Sequence, residues 1–197
     1  DVSGEPISFE GAMRAFERVA DQRAYLGVLQ PAYLLNIART AVKCPRYCQA
    51  RLVGFVNEVD EEQHMQFGAL TFLLDDGSIY IAFRGTDSTV VGWKEDFNMA
   101  FSGETPSQRE AVSYLESVSA AVGGRFILGG HSKGGNLAAY ASVFAAPQVR
   151  ERVDVVYNFD GPGFNEAILS SAEFDAIRHR ILTFVPQTSI IGILLWH

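Results

Sequence analysis

Cysteine is almost absent from this chain. There are two in 197 residues, Cys44 and Cys48, with Pro-Arg-Tyr between them. A zinc site would need two further ligands nearby, and the nearest histidine, His64, stands alone. The three-residue gap also departs from a C-x-x-C redox pair, so both are read as reduced structural thiols, and no metal site is expected. Basic charge is scarce as well. Sixteen Lys and Arg face 23 Asp and Glu, for a net charge of -7 and a sequence pI near 5.1. No basic footprint therefore points to nucleic acid or to an anionic membrane surface. Long apolar runs are missing too: the longest, Ile190 to Trp196, is far too short to span a bilayer, so no transmembrane segment is expected. No charged-then-apolar leader with a small-residue cleavage site opens the chain. It begins at Asp1 rather than Met, which leaves a removed leader open, and cytoplasmic is the default compartment.

What remains is ordinary globular composition, 48% hydrophobic and 20% charged, enough for one good core. The chain is organised around residues 125–145, RFILGGHSKGGNLAAYASVFA. Phe126-Ile127-Leu128 suits a buried strand, and the apolar run from Leu137 to Ala145 suits a well-packed helix. Between them Gly130-His131-Ser132-Lys133-Gly134 matches G-x-S-x-G. A serine nucleophile needs its hydroxyl held out on a sharp strand-to-helix turn, and glycine at 130 and 134 removes the collisions that side chains would cause there. The amide after the serine then faces, with the helix N-terminus, the space where an oxyanion would form. Two phosphate-binding readings fail on named residues. A Walker A loop needs Lys and Ser/Thr where Gly135 and Asn136 stand, and a dinucleotide loop needs glycine where Ser132 stands. The plainer reading of the segment is a structural turn that happens to contain a serine.

Phe9, Met13, Phe16 and Val19 have helical spacing over residues 9–20, and a second helix with Pro31 in its first turn would bury Leu34, Ile37 and Ala41. This helical prelude covers residues 1–45 and either packs on the main sheet or forms a flap. Strand signals follow at Leu52–Val56, Phe67–Leu74 and Ile79–Phe83, the last two joined through Asp75-Asp76-Gly77, so the sheet should open antiparallel. Later strands at Phe126–Leu128, Val153–Phe159 and Ile181–Val185 alternate with helical segments, which argues for parallel strands with crossovers. The best-marked helix starts at Thr105-Pro106-Ser107-Gln108, a capping box with proline at the first helical position, and runs to about Val122 before Gly123-Gly124. With no repeat or linker in sight, one mixed α/β domain over 1–197 is expected, its sheet and site within 50–197.

Phe83-Arg84-Gly85-Thr86-Asp87 follows directly on a strand. Acyl transfer needs a second oxyanion donor from a loop beside the nucleophile, and Thr86 offers an N–H and a hydroxyl while Lys133 offers the other N–H. An Arg84–Asp96 or Arg84–Asp87 pair would hold the loop. The plainer reading is a simple turn in which Arg84 pairs a carboxylate.

FRGTD, GWKEDFNMAF at residues 92–101 and GGHSKGGNLAAYA together resemble the class 3 lipase branch of the α/β-hydrolases. More closely, the chain resembles a bacterial family of that branch sharing the GWKEDFNMAF, GHSKGGNLA and YNFDGPGF blocks, from about Gln66 onwards. The resemblance implies an α/β-hydrolase fold, Ser132 as nucleophile, and Thr86 with Lys133 at the oxyanion hole. It also matches Trp93 and Asp96 to the lipases' Trp-x-x-Asp, a supporting element; His131, by its place inside the turn, is expected to help shape it.

Lipases of this branch carry their acid in an Asp-x-Val-Pro element, whereas here Phe184-Val185-Pro186-Gln187-Thr188-Ser189 has no carboxylate. Asp160, at the end of the strand before, is the candidate acid; its alternative role is to fix the Gly161-Pro162-Gly163 turn through its own backbone. A triad in this fold needs a histidine after the acid. His179 falls in a helical segment, His197 is the last residue, and His64 and His131 precede the acid. The related sequences carry a histidine in a later Gln-His-Asp segment, so the base is expected beyond residue 197, in C-terminal residues not included here. Lys133 as base is disfavoured because adjacent side chains on such a turn diverge. The reading is a serine hydrolase of lipase or esterase type, cleaving a carboxylic ester through an acyl-enzyme on Ser132. It takes a small-molecule or lipid ester and needs no cofactor; Phe97, Met99 and Phe101 would suit an acyl wall and equally suit the core. The alternative is a non-catalytic, hydrolase-like binding or scaffold protein. Oligomeric state is not legible.

Overall fold

A computed structural model describes residues 4–19, 33–86, 104–189 and 192. Among these, seven strands form one sheet in chain order: β1 (Ile7–Ser8), β2 (Arg51–Asp60), β3 (Met65–Leu73), β4 (Ile79–Phe83), β5 (Phe126–His131), β6 (Val153–Phe159) and β7 (Ile181–Phe184). Pairing is antiparallel from β1 to β4 and parallel from β4 to β7. The expected switch of direction therefore falls at β4. Helices are α1 (Phe9–Phe16), α2 (Tyr33–Ala41), α3 (Pro45–Cys48), α4 (Pro106–Ala121), α5 (Lys133–Phe144), α6 (Pro147–Arg150), α7 (Glu166–Leu169) and α8 (Ala172–Ile177).

Local chemistry explains the turns. Between β3 and β4, Gly77 takes φ 83°, and Asp76 Oδ1 accepts from the Ser78 N–H at 2.9 Å. The Ser78 hydroxyl and N–H hold the Asp76 carboxyl below its ordinary pKa. At the β2–β3 turn, Asp60 accepts from the Glu62 and Gln63 N–H groups at 2.9 and 3.0 Å. The capping box of α4 forms as expected: Thr105 Oγ1 accepts from the Gln108 N–H at 3.3 Å, and Gln108 Oε1 accepts from the Thr105 N–H at 2.9 Å.

The core lies between the sheet and helices α4 and α5. Ala111, Leu115 and Val118 of α4 are fully buried at helical spacing, against Phe67, Ile81, Phe126 and Leu128 of the strands. Tyr114 packs edge-on against Phe67 and Phe83, and its hydroxyl donates to the Gly54 carbonyl at 2.8 Å. That bond pins a bulge in β2 where Gly54 adopts φ 66°. Helix α5 is buried on every side from Lys133 to Val143, as an apolar helix at the centre of a domain must be. It begins at Lys133, ahead of the expected Leu137, because Ser132 serves as its N-cap.

The prelude departs from expectation. Helix α1 stops at Phe16, and neither α1 nor α2 buries a residue fully. Ile37 is 56% exposed rather than buried, while Leu34 and Ala41 are half-buried; Pro31 lies outside the described residues. Strand β1, two residues long, carries too little sequence to be read in advance. Cys44 and Cys48 are both free and half-buried, flanking α3 and within it. No helix among the described residues is long and apolar enough to cross a membrane.

Candidate active site

Parallel pairing lines up the carboxyl ends of β4, β5 and β6, where open α/β sheets place functional groups. Phe83 is in register with Gly130, and His131 with Phe159. The segments that leave these strands, Arg84-Gly85-Thr86, Ser132 and Asp160, therefore share one edge of the sheet.

Ser132 stands on the β5–α5 turn with φ 57° and ψ -130°, a conformation that costs a side-chain-bearing residue energy. Surrounding bonds hold it there. Its N–H donates to the Phe159 carbonyl at 2.8 Å, and its own carbonyl accepts from Gly135 at 2.9 Å and Asn136 at 3.3 Å. Although Ser132 is the N-cap, its hydroxyl makes no capping bond, so the oxygen is not used up by the helix. Neither glycine of the turn has room for a side chain. A methyl group on Gly130 would meet the Phe83 carbonyl oxygen at 2.6 Å as well as the Gly134 backbone; one on Gly134 would collide with the Phe83 carbonyl and lie 2.9 Å from the Arg84 backbone. Gly85 is a third such position, unremarked in the sequence, whose methyl would sit 2.7 Å from the His131 carbonyl oxygen. The loop after β4 thus lies directly against the elbow, with Thr86 half-buried at its end.

Lys133 is 1% exposed, and its Nζ donates to the Gln66 carbonyl at 2.5 Å. The Ser107 hydroxyl donates to the same oxygen at 3.0 Å. Its side chain therefore runs back to β3, which fits the expected divergence from Ser132. Arg84 donates its N–H to the Gly68 carbonyl at 2.8 Å, and its side chain lies over Gly68. The suggested partners Asp87 and Asp96, together with Trp93, Phe97, Met99 and Phe101, lie outside the described residues.

Asp160 also adopts a positive φ, 57°, with its N–H on the Phe184 carbonyl at 2.9 Å. The turn-fixing role considered for it belongs to another residue: Asn158 Oδ1 accepts from the Gly161 N–H at 3.0 Å. Among the described residues, Asp160 Oδ1 is buried and has no hydrogen-bond partner. No described histidine fills that place. His64 is exposed at φ 53° in the β2–β3 turn, and His131 is exposed in the elbow. His179 belongs to a 3-10 turn (Arg178–Arg180) rather than a regular helix, at the start of β7 and so at the opposite edge from Ser132. There its Nε2 accepts from Arg180 Nε at 3.3 Å. His197 lies outside the described residues.

Three buried amides escaped the sequence reading. In the sequence Gln108 stands out only as a cap, Asn136 only as a mismatch to a phosphate loop, and Asn158 only as part of the YNFDGPGF block. Asn136 Nδ2 donates to the carbonyls of Pro162 at 3.0 Å and Gly163 at 3.2 Å, and its Oδ1 accepts from Gln108 Nε2 at 2.9 Å. Partners 26 to 28 residues away leave no local signal. A cavity of about 440 Å³ opens beside Asn158, lined also by Phe164, Phe174, Ile181 and Thr183. Neither Ser132 nor Thr86 lines it, so it is distinct from the space before the elbow. Among the described residues, no cluster of side chains could hold a metal ion.

Among curated proteins, none is detectably similar in sequence. Among solved structures, a fungal lipase from a lipase–inhibitor complex that served as a model for interfacial activation superposes with a TM-score of 0.52 at 16% identity. The match covers 79% of this chain and 66% of that lipase, so the chain spans just under two thirds of the lipase's length. With the strand order and the change from antiparallel to parallel pairing, this likeness shows an α/β-hydrolase fold. Residues 41–197 match the Mbeg1-like family, and the chain belongs to that family.

Proposed function

We propose that the protein is a serine hydrolase of lipase or esterase type, cleaving an acyl ester through a covalent intermediate on Ser132. The observation that carries this reading is the backbone of Ser132, φ 57° and ψ -130° on a strand-to-helix turn whose glycines have no room for a methyl group. Strain of this kind persists only where the surroundings impose it, and it presents a hydroxyl at the edge of the sheet.

In this mechanism Ser132 Oγ attacks the ester carbonyl carbon while a histidine takes its proton. The backbone N–H groups of Lys133 and Thr86 bind the resulting oxyanion, helped by the N-terminus of the 12-residue α5. Collapse of the intermediate expels the alcohol, which receives the proton from the histidine, and leaves the acyl group on Ser132. Water, deprotonated by the same histidine, then releases the carboxylic acid. Asp160 orients the histidine, and its buried, unpartnered Oδ1 supports that role. The histidine comes from outside the described residues.

Labelling of the full-length protein with a fluorophosphonate probe, beside Ser132→Ala, tests the proposal. Labelling that depends on Ser132 is expected. A folded wild-type protein that stays unlabelled, with and without detergent, would overturn it in favour of a non-catalytic scaffold.

A further inference from the structure

We infer that Asn136 is a positioning residue that clasps the Ser132 turn to the Asp160 turn, setting the geometry between nucleophile and acid; the inference rests on the serine-hydrolase reading above. Asn136 is 1% exposed in the first turn of α5, four residues after Ser132. Its main-chain N–H holds the Ser132 carbonyl at 3.3 Å, while its side chain reaches across to the carbonyls of Pro162 and Gly163. One residue therefore touches both turns.

The direction of its hydrogen bonds is forced by chemistry. The Thr105 N–H can only donate, so the Gln108 oxygen must face it and the Gln108 Nε2 must face Asn136. Asn136 consequently presents its oxygen to Gln108. Its Nδ2 is left for Pro162 and Gly163, whose carbonyls can only accept. A relay of fixed polarity thus runs from the cap of α4, through α5, to the loop after β6. Gln108 and Asn158 are 4% and 3% exposed, so water does not compete freely for these bonds.

Packing on the acid side is equally tight. A methyl group on Gly161 would lie 2.6 Å from the Ser132 carbonyl oxygen and 2.8 Å from the Asn136 nitrogen. The Asp160 turn therefore rests directly on the elbow. The positive φ of Asp160 survives because bonds on both sides impose it: Asp160 N–H to Phe184, Gly161 N–H to Asn158, and the next two carbonyls to Asn136.

Asn136→Asp separates this role from simple packing. The replacement keeps shape and keeps an acceptor for Gln108, but it turns a second acceptor towards two carbonyls. The rate of fluorophosphonate labelling, measured on folded full-length protein, is expected to fall by about tenfold to a hundredfold. In an Asp160→Asn background the same change should have little effect, because the residue acts through Asp160. Equal slowing in both backgrounds, or an unchanged rate, would overturn the inference.

Amide hydrogen exchange gives an activity-independent readout. In Asn136→Asp, exchange at the Gly161 N–H should accelerate while the Leu128 and Val156 amides stay protected; an unchanged Gly161 would also overturn the inference. If wild-type protein never labels, the hydrolase reading fails, and exchange still decides whether Asn136 holds the turn. Should Asn136→Asp not fold, Gln108→Leu removes the donor behind Asn136 and should act in the same direction on both readouts.

Discussion

Positive φ at a side-chain-bearing residue is unfavourable, and two of the three described cases, Ser132 and Asp160, stand on adjacent strand ends of the candidate site. This concentration gives a test at the residue scale. Glycine tolerates the Ser132 backbone and alanine does not, so Ser132→Gly should be more stable than Ser132→Ala by about 1 kcal/mol or more. Urea unfolding of the two variants checks it, and both should fail to label. Conversely, Gly134→Ala forces a methyl group against the Phe83 carbonyl and should cost about 1–3 kcal/mol. Equilibrium unfolding with an intact folded baseline would measure it. Ser132, Gly130 and Gly134 were legible because their signal is local: three positions within five residues, bounded by a strand and a helix. The clasp through Asn136 was not. Its meaning depends on which carbonyls a fold 26 residues away brings into reach.

At the scale of elements, α4 joins the antiparallel and parallel halves. Its N-terminal box is buried, with Thr105 1% exposed, and feeds the amide relay through Gln108. Thr105→Ala should destabilise the protein by about 1 kcal/mol. It should also quicken exchange at the Gln108 amide, read in the same experiment. Further along, Tyr114 bonds both Thr71 and the Gly54 carbonyl at 2.8 Å. Tyr114→Phe keeps the ring contacts but leaves those groups without the hydroxyl, at a cost of about 1–3 kcal/mol by denaturant titration. The capping box could be read from sequence because all its atoms belong to four consecutive residues. The bulge in β2 could not, because Tyr114 comes from 60 residues later.

For the whole molecule, buried phenols set a limit on the alkaline side. Burial pushes the Tyr114 hydroxyl up to about 12 from 10.0, and it also raises Tyr80 and Tyr140. For Tyr140, the hydrogen bond to the Glu104 carboxylate at 2.8 Å pushes in the same direction. A phenol whose folded pKa exceeds its unfolded one keeps its proton when folded while the unfolded chain has lost it. Stability is then complete below about pH 10 and falls as pH rises through about 12 for Tyr114. Unfolding free energies at stepwise alkaline pH should show this decline, and Tyr114→Phe should make it shallower.

The amino-acid order alone determined the α/β class, the position of the strand-to-helix turn at Ser132, the α4 cap and the turn from antiparallel to parallel strands. Each rests on short-range physics: side-chain periodicity, a proline or glycine at a conformationally demanding position, and capping within one turn of helix. Tertiary structure decided the rest. It exposed Ile37, carried the Lys133 ammonium back to β3, set Gly85 against the Ser132 turn, and gave the turn-fixing bond to Asn158, leaving Asp160 Oδ1 without a partner among the described residues. Those outcomes depend on which buried donors and acceptors meet across the sheet. That pairing is settled only when distant segments exclude water together and every polar group inside must find its complement.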